Sequence, residues 1–203
     1  MPMKLSEIQI DYIKELFNVG LGEAVVEIND LINEEVLMSV PDFEIFDTEL
    51  IYEKLEIEKQ NDISAVIIPI TGDITCYGIL LFPAESSLEL VRRVLNDSGR
   101  TSSLTHLEVE SLTEVSSIIL DAIINSIGEI LSMDLSTELP TAYTGDFEHL
   151  VATFYSQATV MSVGMYFEIK NSDVRGDILF IQDINVVKDF IERTNQMLKE
   201  LGL

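Results

Sequence analysis

Basic residues are scarce: 12 Lys and Arg face 36 Asp and Glu in 203 residues, for a formal net charge of −24 and a pI near 4.1. A surface so negative repels nucleic acid and anionic membrane, and because the excess runs along the whole chain its plainest reading is solubility. Cysteine is nearly absent. Cys76 stands alone, so no intrachain disulfide can form, and a thiol inside the strand-like run 74–78 is expected to be buried and inert. The two histidines, His106 and His149, stand at no metal-ligand spacing from each other or from Cys76, which sets aside a zinc centre. No apolar run approaches the roughly 18 residues that cross a bilayer, and Met1-Pro2-Met3-Lys4-Leu5 does not lead into an apolar segment, so a cytoplasmic location is expected. A Gly-rich phosphate loop is also missing. Gly20 and Gly22 superficially suggest one, but no strand precedes them and they fall inside a helical pattern, as packing or approach sites.

Hydrophobic residues make up 47% of the chain and charged ones 24%, enough for about 70% of the unfolded surface to be buried without a metal or disulfide staple. Sliding the sequence on itself by 99 residues reveals a tandem duplication. Ser6-Glu7-Ile8-Gln9 falls on Thr105-His106-Leu107-Glu108, and each has the form of a capping box that starts a helix. Downstream, Ile13, Leu16, Leu21, Ile28 and Leu31 coincide with Leu112, Val115, Leu120, Ile127 and Ile130 at the spacing of an amphipathic helix, and Pro41 lands on Pro140. The long helices are expected to end near Asn33 and Ser132.

Strand patterns follow each helix, over 37–45 and 66–82 in the first half and over 137–143, 151–163, 164–169 and 176–181 in the second. Short amphipathic helices at 85–96 and 185–201 close the halves, residues 71–73 and 170–173 read as hairpin turns, and 52–62 reads as a mobile hairpin or loop. The polar joint at 96–103 is short, which favours halves that share one sheet or interface. The expected fold is therefore α/β (α+β): one unit over 1–203 made of two repeats, 5–97 and 104–203. It has pseudo-twofold symmetry, a mostly antiparallel sheet and two long helices on one face.

At 100° per residue, Asp11, Glu15, Asn18 and Gly22 lie within a sector of about 60°, opposite the apolar stripe of the first helix. Exposed helix faces are ordinarily polar, so periodicity alone does not make this a site. Gly22, however, removes bulk where another molecule can approach, Asn18 is a poor mid-helix residue, and the second helix repeats the pattern as Glu110, Glu114, Ser117 and Asp121. Asp11, three residues, Glu15, two residues, Asn18, then 22 residues to Pro41 resembles the signature of the CheC/CheX/FliY chemotaxis phosphatases. The string from Glu15 to Ala24, Glu-Leu-Phe-Asn-Val-Gly-Leu-Gly-Glu-Ala, is similar to that family's Glu-Leu-x-Asn-Ile-Gly-x-Gly-x-Ala. In length and duplicated layout the chain looks most like CheC.

The resemblance implies hydrolysis of the aspartyl phosphate on the response regulator CheY, with Asn18 orienting the attacking water and Glu15 anchoring the partner. Asp11, Gly22 and Pro41 would support that contact, and Mg²⁺ would sit on the regulator, the chain having no cofactor of its own. In-line attack by water needs mainly positioning, which suits a site without a general-base histidine. The second half keeps Glu110, Glu114 and Pro140 but has Ser117 where the pattern has Asn. A hydroxyl is shorter and lacks the planar donor and acceptor pair, so this face is expected to be weak or inactive, with a docking role left open. The alternative is a non-catalytic module that holds phosphorylated CheY or the receptor deamidase CheD.

Overall fold

The computed structural model describes residues 5–32, 35–58, 61–95, 104–154, 158–169 and 172–203. Both capping boxes form. Ser6 N–H donates to Gln9 Oε1 at 2.7 Å and Gln9 N–H returns to Ser6 Oγ at 3.3 Å, opening α1 (Glu7–Ile32). Thr105 and Glu108 make the same reciprocal pair, at 2.7 and 3.3 Å, and open α4 (His106–Leu131). Ser132 ends α4 in the left-handed conformation that satisfies the last carbonyls, with φ of 52°.

Between the long helices the first repeat runs β1 (Val36–Ser39), β2 (Phe43–Asp47), a 3-10 turn over Thr48–Leu50, α2 (Ile51–Lys54), β3 (Asp62–Gly72), β4 (Cys76–Pro83) and α3 (Ala84–Leu95). After α4 the second runs β5 (Leu135–Thr137), β6 (Thr141–Asp146), α5 (Phe147–Ala152), β7 (Thr159–Ile169), β8 (Ser172–Gln182) and α6 (Ile184–Glu200). The β3–β4 hairpin, the two closing helices and the duplicated order agree with expectation.

Several expectations need correction. The strand over 137–143 divides at Pro140 into β5 and β6, and Thr71 and Gly72, expected in a turn, are ladder residues of β3 paired with β5. The strand over 37–45 is two strands, because Pro41 has no N–H to give to a ladder and the chain breaks at Val40-Pro41-Asp42. Val151 and Ala152 lie in a helix rather than a strand: Asp146 caps α5 by accepting the His149 N–H at 2.8 Å, and the strand begins only at Thr159 and continues unbroken through Gly164. Tyr52–Lys54 is helical, not part of a hairpin, and Asp62 already belongs to β3. Ser172 and Asp173 are ladder residues of β8, paired with Ile169 and Glu168. Residues 170–171 and the joint at 96–103 lie outside the described residues.

The sheet order is β1-β7-β8-β4-β3-β5, with β2 also on β7 and β6 also on β3, and the pairs are antiparallel. At its centre β4 lies beside β8, Ile79 opposite Leu179, and each side of that pair continues into a hairpin and then into the other repeat's edge strands. This is the arrangement a twofold axis between β4 and β8 generates.

Alternation along the strands loads both faces. Leu80, Phe82, Ile178 and Phe180 join Ile13, Phe17, Leu120 and Ile123 in a core under the long helices, while Ile79, Leu81, Leu179 and Ile181 pack with Phe46, Ile51, Phe147 and Leu150 on the opposite face. Both long helices lie on one face, as expected. The stripe on α1 drifts at its end: Leu31 is 37% exposed, and Ile32, at 9%, takes the core position.

Gly20 is where the long helices meet. A Cβ there would stand 2.6 Å from the Ile123 Cα, a backbone atom that cannot step aside, whereas a Cβ on Gly22 would meet nothing within 4 Å. The two glycines of one string therefore do different things. Gly20→Ala is expected to destabilise the protein by about 1–3 kcal/mol through overpacking. Gly22→Ala should stabilise it by up to about 1 kcal/mol through helix propensity. Urea unfolding of the two variants checks this, and shifts of the same sign would contradict the crossing.

Candidate functional site

The polar stripe on α1 occupies an open face: Asp11, Glu15 and Gly22 are exposed, and Asn18 is half-buried. Asn18 is partly covered for a specific reason. Its Oδ1 accepts the Val40 N–H at 3.0 Å, so the side chain lies against the residue before the exposed Pro41. The interval from Asn18 to Pro41, read from the sequence as bare spacing, thus brings Asn18 into contact with the residue next to Pro41.

Asn29, which sequence reasoning passed over, makes the matching contact at the other end of β1, its Oδ1 accepting the Val36 N–H at 2.8 Å. Asn18 and Asn29 are three helical turns apart and share a face, so α1 holds both ends of an edge strand whose N–H groups would otherwise be open. A second Asn on the same stripe, in the last turn of α1, was the available signal.

The other face of the sheet carries a half-buried carboxyl near the same break. Gly164 N–H donates to the Asp42 carbonyl at 3.1 Å, and across β7 and β8 Gly164 pairs with Asp177. Burial first, and then the nearby Asp42, push the Asp177 carboxyl up from 3.8 to about 6. By alternation with Leu179, Asp177 points away from the long helices, so this pair is separate from the Asn18 face.

The second stripe is built differently. Glu110 and Glu114 are exposed, with Glu110 Oε1 3.4 Å from His106 Nδ1, and Ser117 and Pro140 are half-buried. Ser117 makes no bond equivalent to that of Asn18. At the repeat-related position Val40 is 4% exposed whereas Leu139 is 88% exposed, so the segment before Pro140 is not drawn onto its helix. Ser117 and Glu114 instead line an open groove of about 430 Å³ between α4 and α1, shared with Glu23, Glu27 and Asp121. Its carboxylates oppose any anion.

Among the described residues no group of three or more His, Cys, Asp and Glu could hold a metal ion, and no helix is long and apolar enough to cross a membrane. Cys76 is buried, and burial pushes its thiol up to about 12, which suits an inert core residue.

No family model matches the sequence. Known structures do match. Thermotoga maritima FliY superposes with a TM-score of 0.78 at 15% identity, over 96% of this chain and 100% of that one. The chain has the fold of chemotaxis and flagellar-switch proteins. The FliM middle domain from H. pylori superposes with a TM-score of 0.66 at 9% identity, over 93% of this chain and 99% of the other. CheX from Borrelia burgdorferi, solved with CheY, beryllium fluoride and magnesium, superposes with a TM-score of 0.53 at 16% identity over 86% and 99%. FliY and CheX are two of the three names in the family whose residue signature the sequence resembles, so fold and signature agree independently.

The Asp177 carboxyl has a measurable consequence. With its folded pKa above the unfolded value, the native state holds this proton more tightly, so stability falls as pH rises from about 4 through 6. Asp177→Asn is expected to gain about 2 kcal/mol at pH 8 and almost nothing at pH 4. Urea midpoints across that range test it. A wild-type loss that persists undiminished in the variant would assign the slope to other groups.

Proposed function

We propose that this chain is a phosphatase for the aspartyl phosphate of a CheY-type response regulator, with one competent face on α1. The observation that carries the reading is Asn18, held by Val40 beside exposed Pro41 and one turn beyond exposed Glu15 on an unobstructed helix face. Gly22, with open space around it, lets a partner's backbone come close to the helix.

In this reading the regulator docks on α1 and supplies the phosphoryl group and its Mg²⁺. Glu15 anchors it through a lysine beside the phosphoaspartate, and Asn18 enters the regulator's site. Because Asn18 Oδ1 is taken by Val40, the amide N–H₂ is the end offered to water. It donates to one lone pair of the water oxygen and leaves the other aligned with phosphorus. The new O–P bond forms as the aspartyl O–P bond breaks, releasing the Asp carboxylate and inorganic phosphate, and the gain comes from removing the water's orientational freedom. Ser117 is too short to do this from an acid-lined groove, so the α4 face contributes docking at most.

The engaged Asn18 oxygen also favours a second reading, in which Asn18 only braces β1 and the chain holds phosphorylated CheY, or the deamidase CheD, without turnover. Decay of phosphorylated CheY from the same organism separates the two. The expected result is acceleration by wild type, a loss of at least about 10-fold in Asn18→Ala, and near-normal rates in Asn29→Ala, which loosens the same strand three helical turns away from Glu15 and Asn18. Binding without acceleration, or equal losses in the two variants, would support the holding role. A gain in Ser117→Asn would mean that the second face still docks.

Response regulators are often acidic, so docking to a chain of net charge −24 rests on local complementarity. The association rate should be modest and rise with added salt as repulsion is screened. A steep fall in stopped-flow association with salt would contradict this docking.

A further inference from the structure

The crown of α1 is apolar in a way that its polar stripe does not explain. At 100° per residue, Glu15, Val19, Gly22 and Val26 fall within a sector of about 60°, beside the sector of Asp11 and Asn18 and sharing Glu15 and Gly22 with it. Val19 is 41% exposed and Val26 66%, and a Cβ on the Gly22 between them would meet nothing within 4 Å. A single exposed valine is ordinary, but valine is β-branched and a poor helix former, so two in line on a solvated helix face are a costly choice. The second long helix supplies a comparison within the molecule. At the repeat-related positions Ile118 is partly buried against the core, Asp121 stands for Gly22, and exposed Asn125 stands for Val26. The helix that carries Asn18 thus carries a bare apolar strip about 10 Å long, and the helix that carries Ser117 does not.

We propose that Val19, Gly22 and Val26 form the docking ridge for the CheY-type regulator, receiving an apolar patch beside its phosphoaspartate that is edged by a Lys or Arg facing Glu23. The identity of the partner rests on the phosphatase reading; the ridge is a further set of specificity-determining residues for it. Continuity supports the placement. Val19 follows Asn18 in the chain and stands one turn beyond Glu15, so a regulator whose site receives Asn18 lies over the ridge. Area argues the same way. A specific interface buries about 800 Å² on each partner, far more than Glu15 and Asn18 can offer, so their neighbours carry most of the contact. Charge fixes the edge. Glu23 and Asp30 are exposed along the far side of the valines, and a carboxylate pressed against an apolar contact is costly unless a cation meets it. Val26 is about 12 Å of helix from Asn18 and touches no reacting atom, so the ridge contributes affinity and selection rather than chemistry.

The test is calorimetric titration of the intact chain with the CheY-type regulator of the same organism loaded with beryllium fluoride and Mg²⁺, which reads docking without hydrolysis. Val26→Asn, which installs the residue of the second helix, should weaken binding at least about 5-fold, and Gly22→Asp at least about 10-fold. Both positions are open, so both variants keep the fold. Asn125→Val on α4 should leave the affinity as it is. Glu23→Gln should weaken binding about 2-fold to 3-fold; if Glu23 only repelled an acidic partner, removing its charge would tighten binding instead and contradict the basic edge. In turnover the loss in Val26→Asn should appear in KM, whereas that in Asn18→Ala appears in kcat. Undiminished binding by Val26→Asn and Gly22→Asp would overturn the ridge and leave the phosphatase reading standing. No binding and no turnover by wild type would overturn both.

Discussion

Because β1 and β2 add to β7 while β5 and β6 add to β3, neither repeat completes the ladder of its own long hairpin without strands from the other. An isolated hairpin is marginal in water, and here both hairpins also meet each other through β4 and β8. The exchange makes the two halves one cooperative object, and it decides where the α1 face stands. Asn18 is tied to β1, and β1 is held in the sheet by β7, a strand of the second repeat. A residue of the first repeat is thus positioned by the second. Ser117 can replace the Asn on α4 without loss of the fold, because what the second repeat must keep is its ladder and not its polar stripe.

The two long helices add a second constraint. Their crossing at Gly20 brings backbone against backbone, which presses the apolar stripes of both onto the same sheet face and turns the stripe of Asp11, Glu15 and Asn18 outward. A side chain at Gly20 would push the helices apart and tilt that stripe. The glycine that matters to the position of the face is therefore one that the face does not contain, and Gly22, which the face does contain, is structurally unconstrained.

Most of this architecture is legible in the sequence because it rests on local rules. Hydroxyl and carboxamide or carboxylate three residues apart start both helices, Gly72 and Asp73 end a strand, and self-alignment gives the twofold order. What misled was apolar character without its context. Val151 and Ala152 continue toward a β-rich run, yet Asp146 caps a helix ahead of them, and a cap outweighs one or two residues of β propensity. Leu31 follows the ideal helical period, but the last turn rotates Ile32 inward instead. Asn29 was illegible for another reason. A single amide looks the same in a solvated face or a strand latch, and only three-dimensional neighbours tell these apart.

The latch between Asn18 and Val40 bears on whether a residue that braces a strand can also act on a partner. A neutral, half-exposed hydrogen bond contributes about 0.5–1.5 kcal/mol net. The bond therefore reduces the population with a free Asn18 oxygen by no more than about 10-fold. Asn29 keeps the other end of β1 in place during such an opening, and Pro41, which donates no ladder bond, already separates β1 from β2. Local release of Asn18 is thus inexpensive and does not propagate into the sheet. The α4 face has no such intermediate condition: Leu139 is already exposed and Ser117 already unlatched, so nothing holds its polar residue in a fixed pose before a partner arrives. A pose fixed in advance, with the amide N–H₂ left free by the latch, is what distinguishes the first face from the second.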